Sequence, residues 1–173
     1  MQAEERRKKL LDKLSSSKQP MTGSELAAAC GVSRQVIVQD IAILRAAGEA
    51  IVATPQGYRL LIPAMRLRHE AVLAVRHTPE QTETELLALV SAGVEVANVI
   101  VEHPLYGELT GMLALDSADA VQQWYRQMRD SGSHLLSELT DGLHLHTVYA
   151  ATPEAIERAR QAMRALRFLV EDP

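Results

Sequence analysis

A single glycine constrains this chain more than any other residue. Gly31 stands between two short segments, SELAAAC and RQVIVQDIAILRAAG, whose apolar residues recur at helical spacing. A helix closed by a left-handed glycine and followed at once by a new helix must turn sharply, with small residues at the corner. Ser24 or Thr22 caps the first of these helices, Ser33 caps the second, and Gly48 ends it. Leu26, Ala27 and Cys30 are the expected buried face of the first helix, against an arc of Ile37, Ile41 and Leu44 on the second. An earlier helix, Glu4 to Leu14, adds Leu10, Leu11 and Leu14, and SSSKQPMTG breaks it. Next comes AIVATPQGYRLL, two short strands around a Thr54-Pro55-Gln56-Gly57 turn. Three helices and a hairpin make a winged helix, with GVSRQVIVQDIAILRAAG as its helix-turn-helix core.

The outward arc of the third helix carries Gln35, Val38, Gln39 and Ala42, with Ser33 and Arg34 at its tip. Long charged side chains are scarce there, which is unusual for a solvated face. It suits a major groove, where Arg and Gln pair with base edges and Val meets a thymine methyl. Ser33, Arg34, Gln35, Val38 and Gln39 are therefore the candidate DNA-reading residues, with Gln56 and Tyr58 of the hairpin beside them. Charge agrees: residues 1–62 hold nine Lys/Arg against six Asp/Glu, whereas residues 63–173 hold nine against sixteen. The alternative is a three-helix protein-interaction module of the same fold.

At Pro63 the pattern changes to alternating strands and helices, so residues 1–62 and 63–173 are expected to be separate domains. RHEAVLAVRH reads as a strand ending at His77, and Thr78-Pro79-Glu80-Gln81 as a capping-box start for a helix to about Ala92. VEVANVIVE and ELTGMLALD are strands around an HPLYG turn, and ADAVQQWYRQMRDS is a helix capped by Ser117. LHLHTVYA is a fourth strand, and a final helix opens at Thr152-Pro153-Glu154 and reaches about Val170. The expected fold is α+β: a winged helix-turn-helix, then a ferredoxin-like βαββαβ domain with one extra C-terminal helix.

In such a sheet the fourth strand lies antiparallel beside the first. The end of the first, at His77, then meets the start of the fourth, where His144 and His146 point to one face. Glu85 lies on the helix leaving His77. Three imidazoles and a carboxylate from three segments suit Zn²⁺, Ni²⁺, Fe²⁺ or Mn²⁺. A satisfied polar cluster is the alternative. His69 and His134 have no such partners. His103 and Tyr106, in the HPLYG turn, could present an imidazole and a ring to a small planar ligand, or form a rigid packed turn.

One cysteine among 173 residues rules out an internal disulfide framework. No apolar run is long enough for a membrane span, and MQAEERRKKL has no signal core behind it. A cytoplasmic protein without membrane association is expected. No Ser or Cys nucleophile accompanies the histidines and no glycine-rich phosphate loop is present, so an enzyme is not expected.

Taken together, GVSRQVIVQDIAILRAAG, ATPQGY, RHTP, VEHPLYGEL and LTDGLHLHT resemble the niacin-responsive transcriptional repressors, nearly end to end and in order. That resemblance implies a helix-turn-helix joined to a three-histidine (3H) domain that binds a divalent metal. Its matching ligand positions are His77, Glu85, His144 and His146. It also implies nicotinic acid as co-repressor, with His103 and Tyr106 as contacts, and operator DNA of niacin-uptake and NAD-biosynthesis genes as target. A homodimer is expected, because one reading head contacts too few base pairs. The competing readings are a regulator that senses the metal itself and a metal-dependent hydrolase carrying a DNA-binding domain.

Overall fold

A computed structural model describes residues 2–61 and 68–172. The chain divides into two compact units, Met1–Met65 and Arg66–Pro173. The change of pattern at Pro63 lies outside the described residues.

In the first unit, α1 (Ala3–Ser16), α2 (Gly23–Cys30) and α3 (Arg34–Ala46) precede a hairpin of β1 (Ile51–Thr54) and β2 (Gly57–Leu60). Thr22 caps α2 through a capping box with Glu25, and Ser33 caps α3 by accepting from Val36 N. Gly31 takes φ 68, the left-handed conformation the corner requires, and α2 meets α3 at 100°. Leu10, Leu14, Leu26, Cys30, Ile37, Ile41, Leu44 and Ile51 form one core. Asp40 is the buried exception on α3. Arg6 of α1 grips its carboxylate with two hydrogen bonds of 2.5 and 3.2 Å, and Arg7 approaches at 3.5 Å. The hairpin is tied back by mutual backbone bonds between Met21 and Tyr58, both 2.8 Å.

The second unit runs β3 (His69–Arg76), α4 (Thr82–Ser91), β4 (Glu95–His103), β5 (Gly107–Leu115), α5 (Ala118–Asp130), β6 (Leu143–Ala150) and α6 (Pro153–Ala165). The expected element order holds. The strand order is β3-β6-β4-β5, every neighbouring pair antiparallel. The first strand lies beside the fourth and the second beside the third, as in a ferredoxin-like sheet. The two pairs join through the fourth and second strands, however, where the ferredoxin-like order joins the first and third. Both orders have the same sequence of elements and the same apolar alternation, so the sequence does not separate them.

Two further details differ from the sequence expectation. The helix after His77 opens with a 3₁₀ turn, Pro79–Gln81, and a second such turn covers Leu136–Thr140. The last helix stops at Ala165 rather than near Val170: Arg167 takes φ 61, and Leu169 then bridges Val75 on the edge of β3. The apolar run Leu166–Val170 continues a helical pattern without Gly or Pro, so its switch to edge pairing carries no local signal. Leu73, Val75, Val96, Leu115, Val148 and Ala150 of the sheet pack with Leu86, Leu89, Val121, Ala159 and Met163 of the helices. Among the described residues no single helix is long and apolar enough to cross a membrane.

Candidate metal centre and DNA-facing helix

His144 and His146 pair with Val75 and Leu73 in the β3–β6 register. Directly opposed residues share a face, so both imidazoles lie on the side of the sheet that carries the core. His77 follows the last residue of β3, and Glu85 sits in the first turn of α4. All four side chains are buried.

The carboxylate is the hub. Glu85 Oε2 lies 2.5 Å from His77 Nε2, and Oε1 lies 3.2 Å from His144 Nε2 and 3.1 Å from His146 Nε2. His77, Glu85 and His144 bring their ligand atoms within 4.8 Å of one another; His146 stands beside Glu85 but outside that group. Each histidine's far nitrogen is anchored to a backbone carbonyl. Nδ1 of His77 donates to Thr78 O (2.7 Å), of His144 to Gly142 O (2.8 Å) and of His146 to Asn98 O (2.6 Å). A carbonyl only accepts, so each Nδ1 carries a proton and Nε2 is the nitrogen turned toward Glu85, the one that would offer a lone pair to a cation.

That arrangement is compatible with a bound cation. Burial opposes charge on His77 and His146, yet Glu85 outweighs it and holds both above their ordinary value. Burial likewise pushes the Glu85 carboxyl up, but the nearby His146 and the hydrogen bonds from His144 and His77 bring it well below the usual carboxylate range. With only an acceptor opposite, Nε2 of His77 and of His144 carries a proton wherever it bonds Glu85. His146 Nε2 makes no hydrogen bond despite its 3.1 Å approach to Glu85. An orphaned imidazole nitrogen beside an N₃O donor set is compatible with a bound metal, which would take the place of those protons. Thr82, one helical turn before Glu85, is also buried, with a hydroxyl lacking a partner.

On the first unit, Arg34, Gln35, Val38 and Gln39 are exposed along α3. Ser33 is exposed too, but its hydroxyl is engaged as the cap. Tyr58 is half-buried against the helical core, and Gln56 is half-buried with Oε1 unpartnered.

The chain matches known families in both units: residues 70–172 match the 3H domain and residues 6–59 an HTH domain. Transcription repressor NadR of Bacillus subtilis is 42% identical over 169 residues, spanning 96% of this chain and 94% of that protein. Probable transcription repressor NiaR of Thermotoga maritima is 40% identical over 169 residues, spanning 98% and 95%. The chain belongs to the niacin-responsive repressor family.

Two residues of this family member build the centre without having been singled out in the sequence. Gly142 takes φ 85, and any Cβ there would collide with the carbonyl oxygen of His77. Its missing side chain lets the start of β6 pass against His77 while its own carbonyl orients His144. Asn98 sits where the β4–β6 register shifts, so its carbonyl is free for His146 while its Oδ1 accepts from Thr147 N at 2.9 Å. A lone Asn within VEVANVIVE was the available signal.

His103 and Tyr106 of the repressor lie at the β4–β5 hairpin, outside the histidine–glutamate cluster. Their rings pack together at 5.0 Å, and Tyr106 is 72% exposed. Nδ1 of His103 accepts from Leu105 N, which leaves its Nε2–H as a donor. A cleft of about 470 Å³ opens there, lined by Glu102, His103, Pro104, Gly107 and Glu108.

Proposed function

We propose that this protein is a transcriptional repressor of niacin-uptake and NAD-biosynthesis genes that uses nicotinic acid as co-repressor and acts as a homodimer. The observation that carries this reading is the four-donor cluster, its Nε2 atoms set by backbone carbonyls, in a chain that also bears a helix-turn-helix. Its relatives' names, transcription repressor NadR and probable transcription repressor NiaR, point the same way.

In this reading His77, Glu85, His144 and His146 hold a divalent transition metal: Zn, Ni, Fe or Mn. When bound, the metal supplies a Lewis-acidic position that a pyridine nitrogen can fill. The carbonyls of Thr78, Gly142 and Asn98 keep the three imidazoles aimed at that position. His103 offers its Nε2–H to a carboxylate, and Tyr106 offers a ring face. Arg34, Gln35, Val38 and Gln39 read base edges, while Ser33, Gln56 and Tyr58 set the helix tip and wing against the backbone. The effector's binding free energy favours the dimer geometry that fits DNA.

The metal is the permanent part of the site in this account, because its ligands come from ordered strands and a buried helix turn. A regulator that senses metal alone would respond to chelator but not to nicotinate. Thermal melts with nicotinate, nicotinamide or EDTA, run beside operator gel shifts, test the assignment. Nicotinate should raise Tm and tighten operator binding only in the metal-loaded protein. Operator binding that follows metal and ignores nicotinate would sink it.

A further inference from the structure

His77 lies just past the end of β3 and has no ladder partner of its own. Two rings pack against its own. The His144 ring stands 4.9 Å away, edge-on at 90°, and the Phe168 ring 4.9 Å away at 45°. Phe168 is 7% exposed and belongs to the segment that follows α6.

That segment is laced to the outer edge of β3. Arg76 N donates to Phe168 O and Val170 N to Ala74 O, each at 2.8 Å, around the Val75–Leu169 bridge. Phe168 N and Leu169 N both return to Met163 O, which fixes the reversal at Arg167. Beyond it, Glu171 takes a two-pronged ion pair from Arg164 at 2.6 and 2.8 Å. The last residue of β3 is therefore held by β6 on one side and by this strap on the other.

We propose that the Arg167–Val170 strap is part of the metal centre, with Phe168 as a positioning residue for His77. The inference rests on the metal reading above. The Thr78 carbonyl fixes which nitrogen of His77 is protonated and sets the ring's direction, but one bond to the adjacent residue leaves the ring some freedom to rock. Phe168 closes that freedom with an apolar wall, so Nε2 stays on the Glu85 side and water is kept from the back of the ring. The C-terminal segment thereby governs how tightly the site holds its cation, although it contributes no ligand.

The test uses the full chain, stripped of metal and titrated with Co²⁺, with the visible d–d bands as readout. Phe168→Ala should weaken Co²⁺ binding on the order of tenfold or more and alter the bands. Phe168→Leu, which keeps the core filled but removes the ring, should fold normally and show a smaller loss in the same direction. Leu115→Ala, in the core on β5, should lower Tm while leaving Co²⁺ affinity and bands unchanged. Wild-type affinity and bands in both Phe168 variants would overturn the strap alone. A wild-type chain that takes up no Co²⁺ would overturn the metal reading and the strap with it.

Discussion

Glu85 Oε2 stands 2.5 Å from His77 Nε2, although a 3₁₀ turn and the start of α4 separate the two residues along the chain. The capping box at Thr78, closed by Gln81, opens that turn. The same carboxylate reaches His144 and His146 on β6. One acidic side chain therefore joins two strands and a helix.

The protonation of this cluster fixes a pH dependence with a definite sign. His77 and His146 have raised values when folded, so their pairing with Glu85 stabilises the metal-free protein below about pH 6.5. That contribution is lost as pH rises through their folded values. Glu85 is lowered, so its contribution is present above about pH 4.5 and lost as pH falls through its folded value. Metal-free protein should be most stable between those limits. Metal requires unprotonated Nε2, so the Tm gain from Zn²⁺ should grow from pH 6 to pH 8. Melts across that range decide it: a gain that is flat or shrinks with pH would contradict the proton–metal exchange.

Gly142→Ala should be among the most damaging single changes in the second unit. It combines a left-handed φ with a Cβ that meets the His77 backbone. The expected cost is about 1–3 kcal/mol or more, with metal binding impaired beyond the loss of stability. Denaturant unfolding with parallel Zn²⁺ titration separates the two effects.

In the first unit the Arg6–Asp40 pair is asymmetric. Asp40 is 2% exposed, whereas Arg6 is only partly buried. Arg6→Ala leaves a buried carboxylate with Arg7 alone at 3.5 Å, while Asp40→Ala leaves a guanidinium that water can reach. Arg6→Ala should therefore lower Tm more than Asp40→Ala. The reverse order in calorimetric melts would show that the pair contributes mainly through packing on α3.

Arg34→Ala and Gln39→Ala should each weaken operator binding by about 1–3 kcal/mol without changing Tm, because both side chains are exposed and outside the core. Gel shifts matching wild type for both would move the recognition face elsewhere on the unit.

The residues of the site were more legible in the sequence than the sheet that assembles them. Caps, glycine stops and apolar spacing are local, so Ser33, Gly31, Thr78-Pro79 and the i, i+2 pair His144 and His146 could be placed from sequence. The convergence of His77 with that pair needed only β3 beside β6, which both candidate strand orders share. What decides between the orders is the contact of β6 with β4, secured through Asn98 and Thr147. That bond spans 49 residues and leaves no periodic trace. The strap escaped for a similar reason. Phe168 and Leu169 are apolar in either conformation, and only the edge of β3, far away in sequence, distinguishes pairing from one more helical turn.

In the proposed mechanism, metal at the His77–Glu85–His144–His146 cluster is a precondition for effector binding. Calorimetric titration of nicotinate into metal-loaded protein, metal-stripped protein and the stripped His144→Ala, His146→Ala variant tests it most directly. Heat of binding is expected in the loaded protein only, with markedly weaker binding of nicotinamide, which lacks the carboxylate charge. Nicotinate binding the stripped variant as tightly as the loaded wild type would contradict it.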